Sequence, residues 1–534
     1  MGRPFRRYSG QRKRRAMSRN VKRVVVVGGG AAGWIVAGMI AAEHGGAGED
    51  SVDVSLVESP DVPIIGVGEG TWPTMRMTLS KLGIREADFI RACDASFKQG
   101  TKFSGWTNGA ASDAYYHPFT LPQDYLKTNL ASAWLERRAG APFADCASPQ
   151  PRLCDEGLAP KQAATPEYAY VVNYGYHLDA GKFAEFLARH CVGALGVRHL
   201  RAHVDRVNAG ESGDIASLST KEHGDVEGDL FIDCTGVASL LLRRHLGVRF
   251  VEQQSVLFAD RALAIQAPYA ASHSAIASTT ASTAQAAGWV WDIALPTRRG
   301  VGYVYSSAHI SDEAAEETLA AYVRAEPDLT QDRFAPRKIA FSPGHCETFW
   351  RRNCVAVGMA AGFLEPLEAS ALVLAELSAQ MLAENLPRSR DAMDAAAKRF
   401  NEKLHYHWRR VIEFLKLHYV LSAREGNFWR DNRRAESAPE RLAEALTVWR
   451  ARAPWKQDFD RVDEIFSAAS YQYVLYGMNF KTRERATRRR VENLEQAEAA
   501  FGEVERKRAQ MLAALPSTRA LVDAVRAGGP IFGG

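Results

Sequence analysis

Four consecutive β-branched residues, Val24-Val25-Val26-Val27, run straight into Gly28-Gly29-Gly30-Ala31-Ala32-Gly33. A continuous apolar run of this kind is covered on both faces, so it reads as a central parallel strand. The turn after it must be tight, because an Ala-rich helical stretch from Ile35 to Glu43 follows almost at once. A second strand, Val52 to Val57, ends in Glu58, thirty residues past Gly28. Strand, glycine turn, helix, strand and terminal acid make a βαβ dinucleotide-binding unit. Gly28 permits the turn, Gly30 lets backbone approach a pyrophosphate, and Gly33 lets helix and strand pack closely. Ala31 and Ala32 open the helix whose amides would face the phosphates. Glu58 is placed to accept hydrogen bonds from ribose hydroxyls, its plain alternative being a solvated strand-end acid.

At 534 residues, 46% of them apolar and 24% charged, the chain is a globular protein with room for two or three lobes. Ten of its Lys and Arg residues fall in residues 1–23, which hold no Asp or Glu, so a net charge of +5 becomes about −5 for the remainder. The basic stretch is read as a disordered extension over 1–21, or as sequence upstream of a start at Met17. An arm for nucleic acid or an anionic surface is the rival reading. No apolar run precedes Val24 and none reaches 18 residues, so neither a secretory signal nor a membrane span is expected. The seven cysteines form no CxxC and no metal-ligand spacing, which fits reduced thiols in a cytoplasmic protein without a metal site.

Further elements follow from local pattern. Residues 94–145 are rich in aromatics and turn formers, as in a loop-built pocket. Phe183 to Arg189 reads as helix, His199 to Val207 as one strand, and Leu230 to Gly236 as a strand running into a turn. The Ser/Thr/Ala-rich stretch Ala270 to Ala287 reads as irregular or as a surface strand, and Gly288 to Ser307 as a hairpin. Cys354 to Val357 is a short strand, and helices are expected at 372–386, 390–423, 437–451 and 486–514. The fold class is mixed α/β (α+β): a Rossmann-like, monooxygenase-type FAD-binding lobe over 22–400 with inserted substrate segments, then a mainly helical lobe over 401–534. The turn Asp233-Cys234-Thr235-Gly236 and the strand at Val204 favour FAD, since two-part flavin folds close such elements over that cofactor. Within the hairpin, Trp289 and Trp291 point to one face of a strand. Stacked there they would make a rigid wall, although paired tryptophans are also ordinary core.

The chain resembles the flavin-dependent tryptophan halogenases. Trp289-Val290-Trp291-Asp292-Ile293 is similar to their Trp-x-Trp-x-Ile-Pro signature, departing at Ala294, with Pro296 two residues later. Ile65-Gly66-Val67-Gly68-Glu69-Gly70-Thr71, Phe97-Lys98, His177-Leu178-Asp179-Ala180, Phe231-Ile232-Asp233-Cys234 and Leu364-Glu365-Pro366-Leu367-Glu368 carry the likeness further, from about residue 22 to about 430. The resemblance implies reduced FAD (FADH2), O2 and chloride or bromide, which form hypohalous acid that passes internally to tryptophan, indole or a related electron-rich arene. It implies that Lys98 is the active-site lysine, with Lys102 its nearest rival one helical turn on. It makes Glu368 the carboxylate that stabilises the cationic ring and takes its proton, with Glu365 three residues earlier easily confused with it.

By the same likeness, backbone at Met359 and Leu372 contacts the flavin, and amides at Ser370 and Ala371 hold halide, although Ala369-Ser370-Ala371 stands for Ser-Thr-Gly. His117 and Phe119 would sandwich the substrate ring. Phe428-Trp429 and Tyr471-Gln472-Tyr473 are candidates for gripping an amino acid's charged groups. Trp289 and Trp291 would keep the arene from the flavin. A separate NADH-dependent flavin reductase is the implied partner, since no second nicotinamide fingerprint is visible. A homodimer is left open, and neither nucleic acid nor membrane is expected as a partner. The competing functions are a flavin monooxygenase on the same scaffold and a non-enzymatic flavin-bound module.

Overall fold

A computed structural model describes residues 20–62, 68–330, 334–484 and 488–528. Residues 1–19 of the basic stretch, and Ile65-Gly66-Val67 of the quoted motif, lie outside the described residues. The Val24–Val27 run is the heart of a six-stranded sheet, ordered Trp350–Arg351, Cys354–Ala356, Leu230–Asp233, Arg23–Val27, Asp53–Glu58, Arg198–Arg201. Its neighbours run parallel except the outermost Trp350–Arg351. Helices Ala31–His44 and Ala180–Gly193 pack against each other. In the first, Gly33, Gly38 and the β-branched Ile35, Val36 and Ile40 offset five alanines, so the burial of nine of its fourteen residues, more than propensity, holds it.

A seven-stranded sheet forms the second layer, ordered Arg337–Ala340, Arg261–Pro268, Arg298–Tyr305, Gly288–Ala294, Thr280–Gln285, Gly100–Ser104, Ala114–Pro118. The hairpin of Gly288–Ala294 with Arg298–Tyr305 forms as its alternation implies. Three expectations change here. The stretch Ala270 to Ala287 supplies an interior strand, Thr280–Gln285, paired on both sides. Its small residues are what fit under large neighbours: Ser282 is buried and its carbonyl accepts the Trp106 indole N–H at 2.9 Å. The 94–145 region is strand-rich, with Ser96–Lys98, Gly100–Ser104 and Ala114–Pro118 all in sheets. The expected strand His199 to Val207 is two strands. The buried Ala202 donates its N–H to Glu58, ending Arg198–Arg201, and Val204–Ala209 joins a separate three-stranded sheet.

The C-terminal part is helical. Helix Arg390–Leu421, 32 residues long, runs unbroken through position 400. Its first half buries one face through Met393, Ala397, Phe400 and Leu404; from Tyr406 to Tyr419 every residue but Arg409 is buried. Five polar side chains, His407, Arg410, Glu413, Lys416 and His418, are therefore carried into the interior, where each needs a partner. The helix Thr518–Arg526 folds back onto Glu86–Ala92 and Ser96–Lys98. Arg519 donates to the carbonyls of Ser274 and Pro296, each at 2.8 Å, and Arg526 pairs with Asp94.

Candidate active site

The glycine turn is built by close approach. At Gly28, where φ is +115°, a Cβ would lie 2.2 Å from the Cys234 carbonyl oxygen, and at Gly33 one would lie 1.9 Å from the Gly28 oxygen. At Gly30 a Cβ would meet nothing within 4 Å. Gly30 is the N-cap of Ala31–His44 and no side chain caps that helix, so its first amides have no side-chain acceptor. Such an end accepts an anion through its dipole and free N–H groups. The Glu58 carboxylate lies against Gly29, with Oε2 2.7 Å from Nε2 of His199. At Gly358, where φ is +66°, a Cβ would lie 2.7 Å from the Ala32 methyl, so the exposed Met359 sits at the same end of the sheet. The Thr235-Gly236 turn follows Leu230–Asp233 there, held by Thr235 donating to the Asp233 carboxylate. Leu372 is half-buried in the first turn of Ser370–Glu384, and Val204 is half-buried just past the strand that pairs with Glu58. The carboxyl ends of parallel strands are where dinucleotides bind, and these residues fit FAD.

Two alanine substitutions separate packing from cofactor approach. Gly33→Ala forces backbone against backbone and should cost about 3 kcal/mol or more. Gly30→Ala should leave thermal stability of the apoprotein within about 0.5 kcal/mol while weakening FAD binding at least tenfold by titration.

Lys98 ends the strand Ser96–Lys98, which pairs with Gly175–Leu178 and, through it, with Glu69–Gly70. Its side chain is buried. A Cβ on Gly70 would lie 3.0 Å from Lys98 Nζ and 3.5 Å from the Ala369 Cβ, so the ammonium reaches the loop that carries Glu368. Nζ also sits 5.4 Å from the centre of the Phe119 ring. Burial pulls the ammonium down to about 8, with Glu368 and Glu69 resisting. The Glu69 carboxyl is pushed up to about 7 by burial against the pull of Lys98. Lys102 is not one helical turn away, because both lysines are in strands; it faces outward and pairs with Asp155 at 2.9 Å.

Glu368 is buried, at φ +72°, and Ala369 follows at φ +53°. Two successive non-glycine residues in this region cost of order 1–3 kcal/mol each unless their surroundings hold them. The Glu368 carbonyl accepts the Trp72 indole N–H at 2.7 Å. Its Oε1 lies 2.9 Å from His117 Nδ1 and 3.2 Å from His418 Nε2. Burial would raise this carboxyl, but the charge and hydrogen bond of His117, then those of His418, hold it down at about 2. Burial also keeps His418 below the usual histidine range, and its Nδ1 is 2.8 Å from the Tyr115 hydroxyl. Ser370 starts the 15-residue helix Ser370–Glu384, Ala371 is exposed beside it, and no side chain caps that end.

His117 contacts Phe414 and Tyr473 with ring centres 5.7 and 6.2 Å away. Phe414 stacks on Phe466 at 3.8 Å, and Phe466 meets Trp72 edge-on at 4.9 Å. Glu368 thus has an aromatic surround of which only His117 and Tyr473 were marked in the sequence. Trp72, Phe414, Phe466 and His418 were missed. Phe428 and Trp429 pack elsewhere, behind Trp106 and Tyr419.

Trp289 and Trp291 do share a face, but their indoles meet edge-on rather than stacked, with centres 6.4 Å apart and planes at 61°. The Trp291 ring lies over Gly302, where a Cβ would come within 2.1 Å of it, so the ring is tipped away from its neighbour. The Trp289 N–H donates to Glu365 Oε2 at 2.7 Å. Where the signature has proline, the Ala294 carbonyl accepts the Ser96 hydroxyl at 2.7 Å and ties the hairpin to the Lys98 strand.

The sequence model of the family described as "Tryptophan halogenase" matches residues 23–493. The chain is 32% identical to the tryptophan 6-halogenase SttH of Streptomyces toxytricini, over 86% of this chain and 90% of that one. A crystal structure of a tryptophan halogenase from Shewanella frigidimarina is 48% identical, with a TM-score of 0.93 covering 96% of this chain and 99% of that one. BrvH, a flavin-dependent halogenase from Brevundimonas sp., is 32% identical with a TM-score of 0.83, covering 95% and 99%. Among the described residues no helix is long and apolar enough to cross a membrane. The chain therefore belongs to the tryptophan halogenase family, flavin-dependent oxidoreductases that use reduced FAD, dioxygen and halide and depend on a separate flavin reductase.

Proposed function

We propose that the enzyme halogenates tryptophan, indole or a related electron-rich arene held beside Lys98 and Glu368. The observation that carries this is a buried ammonium reaching the loop of a carboxylate held ionised by two histidines. Reduced FAD, with dioxygen and halide, supplies hypohalous acid. The uncapped amides at Ser370 and Ala371 hold the halide. Lys98 donates a hydrogen bond to hypohalous acid and polarises it towards the arene in a site without bulk water. Glu368 stabilises the cationic ring and accepts its proton. His117 holds Glu368 and, with Phe119 and Tyr473, lines the ring's place. Trp289 and Trp291 exclude the arene from the flavin by bulk. The reductase is proposed to use NADH, and the pair is proposed to work in the cytoplasm.

The test is mass spectrometry of products from tryptophan, indole and an arene panel, with FAD, NADH, a generic flavin reductase and bromide or chloride. A halogen isotope pattern is the expected result. Oxygenated product formed in the presence of bromide would assign the hydroxylase instead.

A further inference from the structure

Glu365 stands three residues before Glu368 and takes no part in the chemistry above. It is buried, and its Oε2 accepts two hydrogen bonds, from the Trp289 indole at 2.7 Å and the Tyr419 hydroxyl at 2.6 Å. Glu368 likewise lies between two partners, hydrogen-bonded to His117 Nδ1 at 2.9 Å and in contact with His418 Nε2 at 3.2 Å. Each carboxylate bridges the same two bodies. Trp289 and His117 belong to the seven-stranded sheet; His418 and Tyr419 are adjacent residues of helix Arg390–Leu421. The segment 365–368 is thus clamped at both ends between sheet and helix, and it leads into the pair of left-handed residues Glu368 and Ala369.

Strained backbone persists only where its surroundings over-determine it. We propose that Glu365 is a positioning residue that fixes the Glu368–Ala369 turn and the Trp289 indole together. The proposal rests on the roles given above to Glu368 and Trp289. The partners of Glu365 are neutral donors, and its carboxyl is raised by burial, with Tyr419, Trp289 and Lys416 pulling the other way. Its second oxygen, Oε1, is buried without a hydrogen-bond partner. Acceptance of two hydrogen bonds at one oxygen is what the site asks of this side chain. Glutamine can supply that acceptance through its carbonyl oxygen, at the smaller cost of an amide in the place of the unpartnered Oε1; leucine, of similar size, cannot, and would leave the Trp289 and Tyr419 donors buried and unpaired.

The test compares Glu365→Leu, Glu365→Gln and Tyr419→Phe with the wild-type full chain. Hydrogen exchange at the amides of residues 367–372 of the apoprotein is read first. E365L should exchange at least tenfold faster there, E365Q should recover most of the protection, and Y419F should lie between. In the holoenzyme with an accepted arene, kcat should fall about tenfold in E365L with KM within twofold, and E365Q should again recover most of the loss. Wild-type exchange and kcat in E365L would overturn the proposal, as would an E365Q as impaired as E365L. If E365L does not fold, Y419F decides: unchanged exchange and unchanged kcat overturn it. A wild-type enzyme that forms no halogenated product would defeat the functional reading alone, since exchange in the apoprotein still tests Glu365.

Discussion

Lys98→Ala is expected to lower halogenated product by at least about 100-fold while FAD binding stays within about twofold of wild type, the size of effect seen when a preorganised donor is removed from a dry site. The ammonium is buried, and the rival Lys102 is committed to Asp155 on the outside of its sheet, so it offers no substitute. The pH profile gives the sign of the mechanism. Lys98 loses its proton at about 8 rather than in the usual lysine range. As a hydrogen-bond donor it works protonated, so kcat should be flat below about 8 and fall towards tenfold per unit above it. A haloamine route needs the free amine and would instead rise up to about 8. Chemically reduced FAD in place of a reductase keeps the profile free of a second enzyme. A rising limb, or product from K98A near the wild-type level, counts against the proposed donor.

Glu368→Gln should lower kcat by about 100-fold, the lower range for loss of a positioned base. It should leave hypohalous acid formation unchanged, measured with a soluble β-diketone trap. The two steps separate because Glu368 acts on the arene and Lys98 on the electrophile. Glutamine keeps the side-chain volume and the strained backbone, and the Trp72 hydrogen bond to the main-chain carbonyl does not depend on the carboxylate. Because Glu368 titrates at about 2, it remains ionised through the working range, and no acid limb near the ordinary carboxylate pKa should appear in the wild-type profile. A trap yield that falls with the arene product would place Glu368 before halide oxidation and defeat the assignment.

The nucleotide turn was legible because its constraints are local. Gly33 is glycine because of Gly28, five residues away, the valine run needs only cover on both faces, and only the Gly28 approach to Cys234 crosses a long stretch of chain. Thr280–Gln285 was not legible: its small polar residues look like surface until the tryptophans that press on the sheet are known. Lys98 could be singled out only by likeness to known enzymes. A lysine next to a phenylalanine otherwise reads as a snorkelling surface residue, and burial by Gly70 and the Ala369 turn is a long-range fact. His418 and Trp72 were hidden for the same reason, since their hold on Glu368 spans 50 and 296 residues of chain respectively. The His117 pairing with Glu368 likewise joins positions 251 apart.

The return of Thr518–Arg526 onto Ser96–Lys98 sets a schedule for biosynthesis. Ribosomes add about 5–20 residues per second, so the helix emerges on the order of 20–80 s after the lysine strand that it covers. Until then the turn at Pro296 lacks the arginine that holds its carbonyl, and Asp94, four residues before Lys98, lacks Arg526, one of its partners. Of the nucleotide unit, Arg23–Val27, Ala31–His44 and Asp53–Glu58 lie within the first quarter of the chain, and its remaining strands, Arg198–Arg201, Leu230–Asp233 and Cys354–Ala356, all precede Thr518–Arg526. Competence to halogenate is thus among the last properties a nascent chain acquires, well after the turn that receives its cofactor has been made.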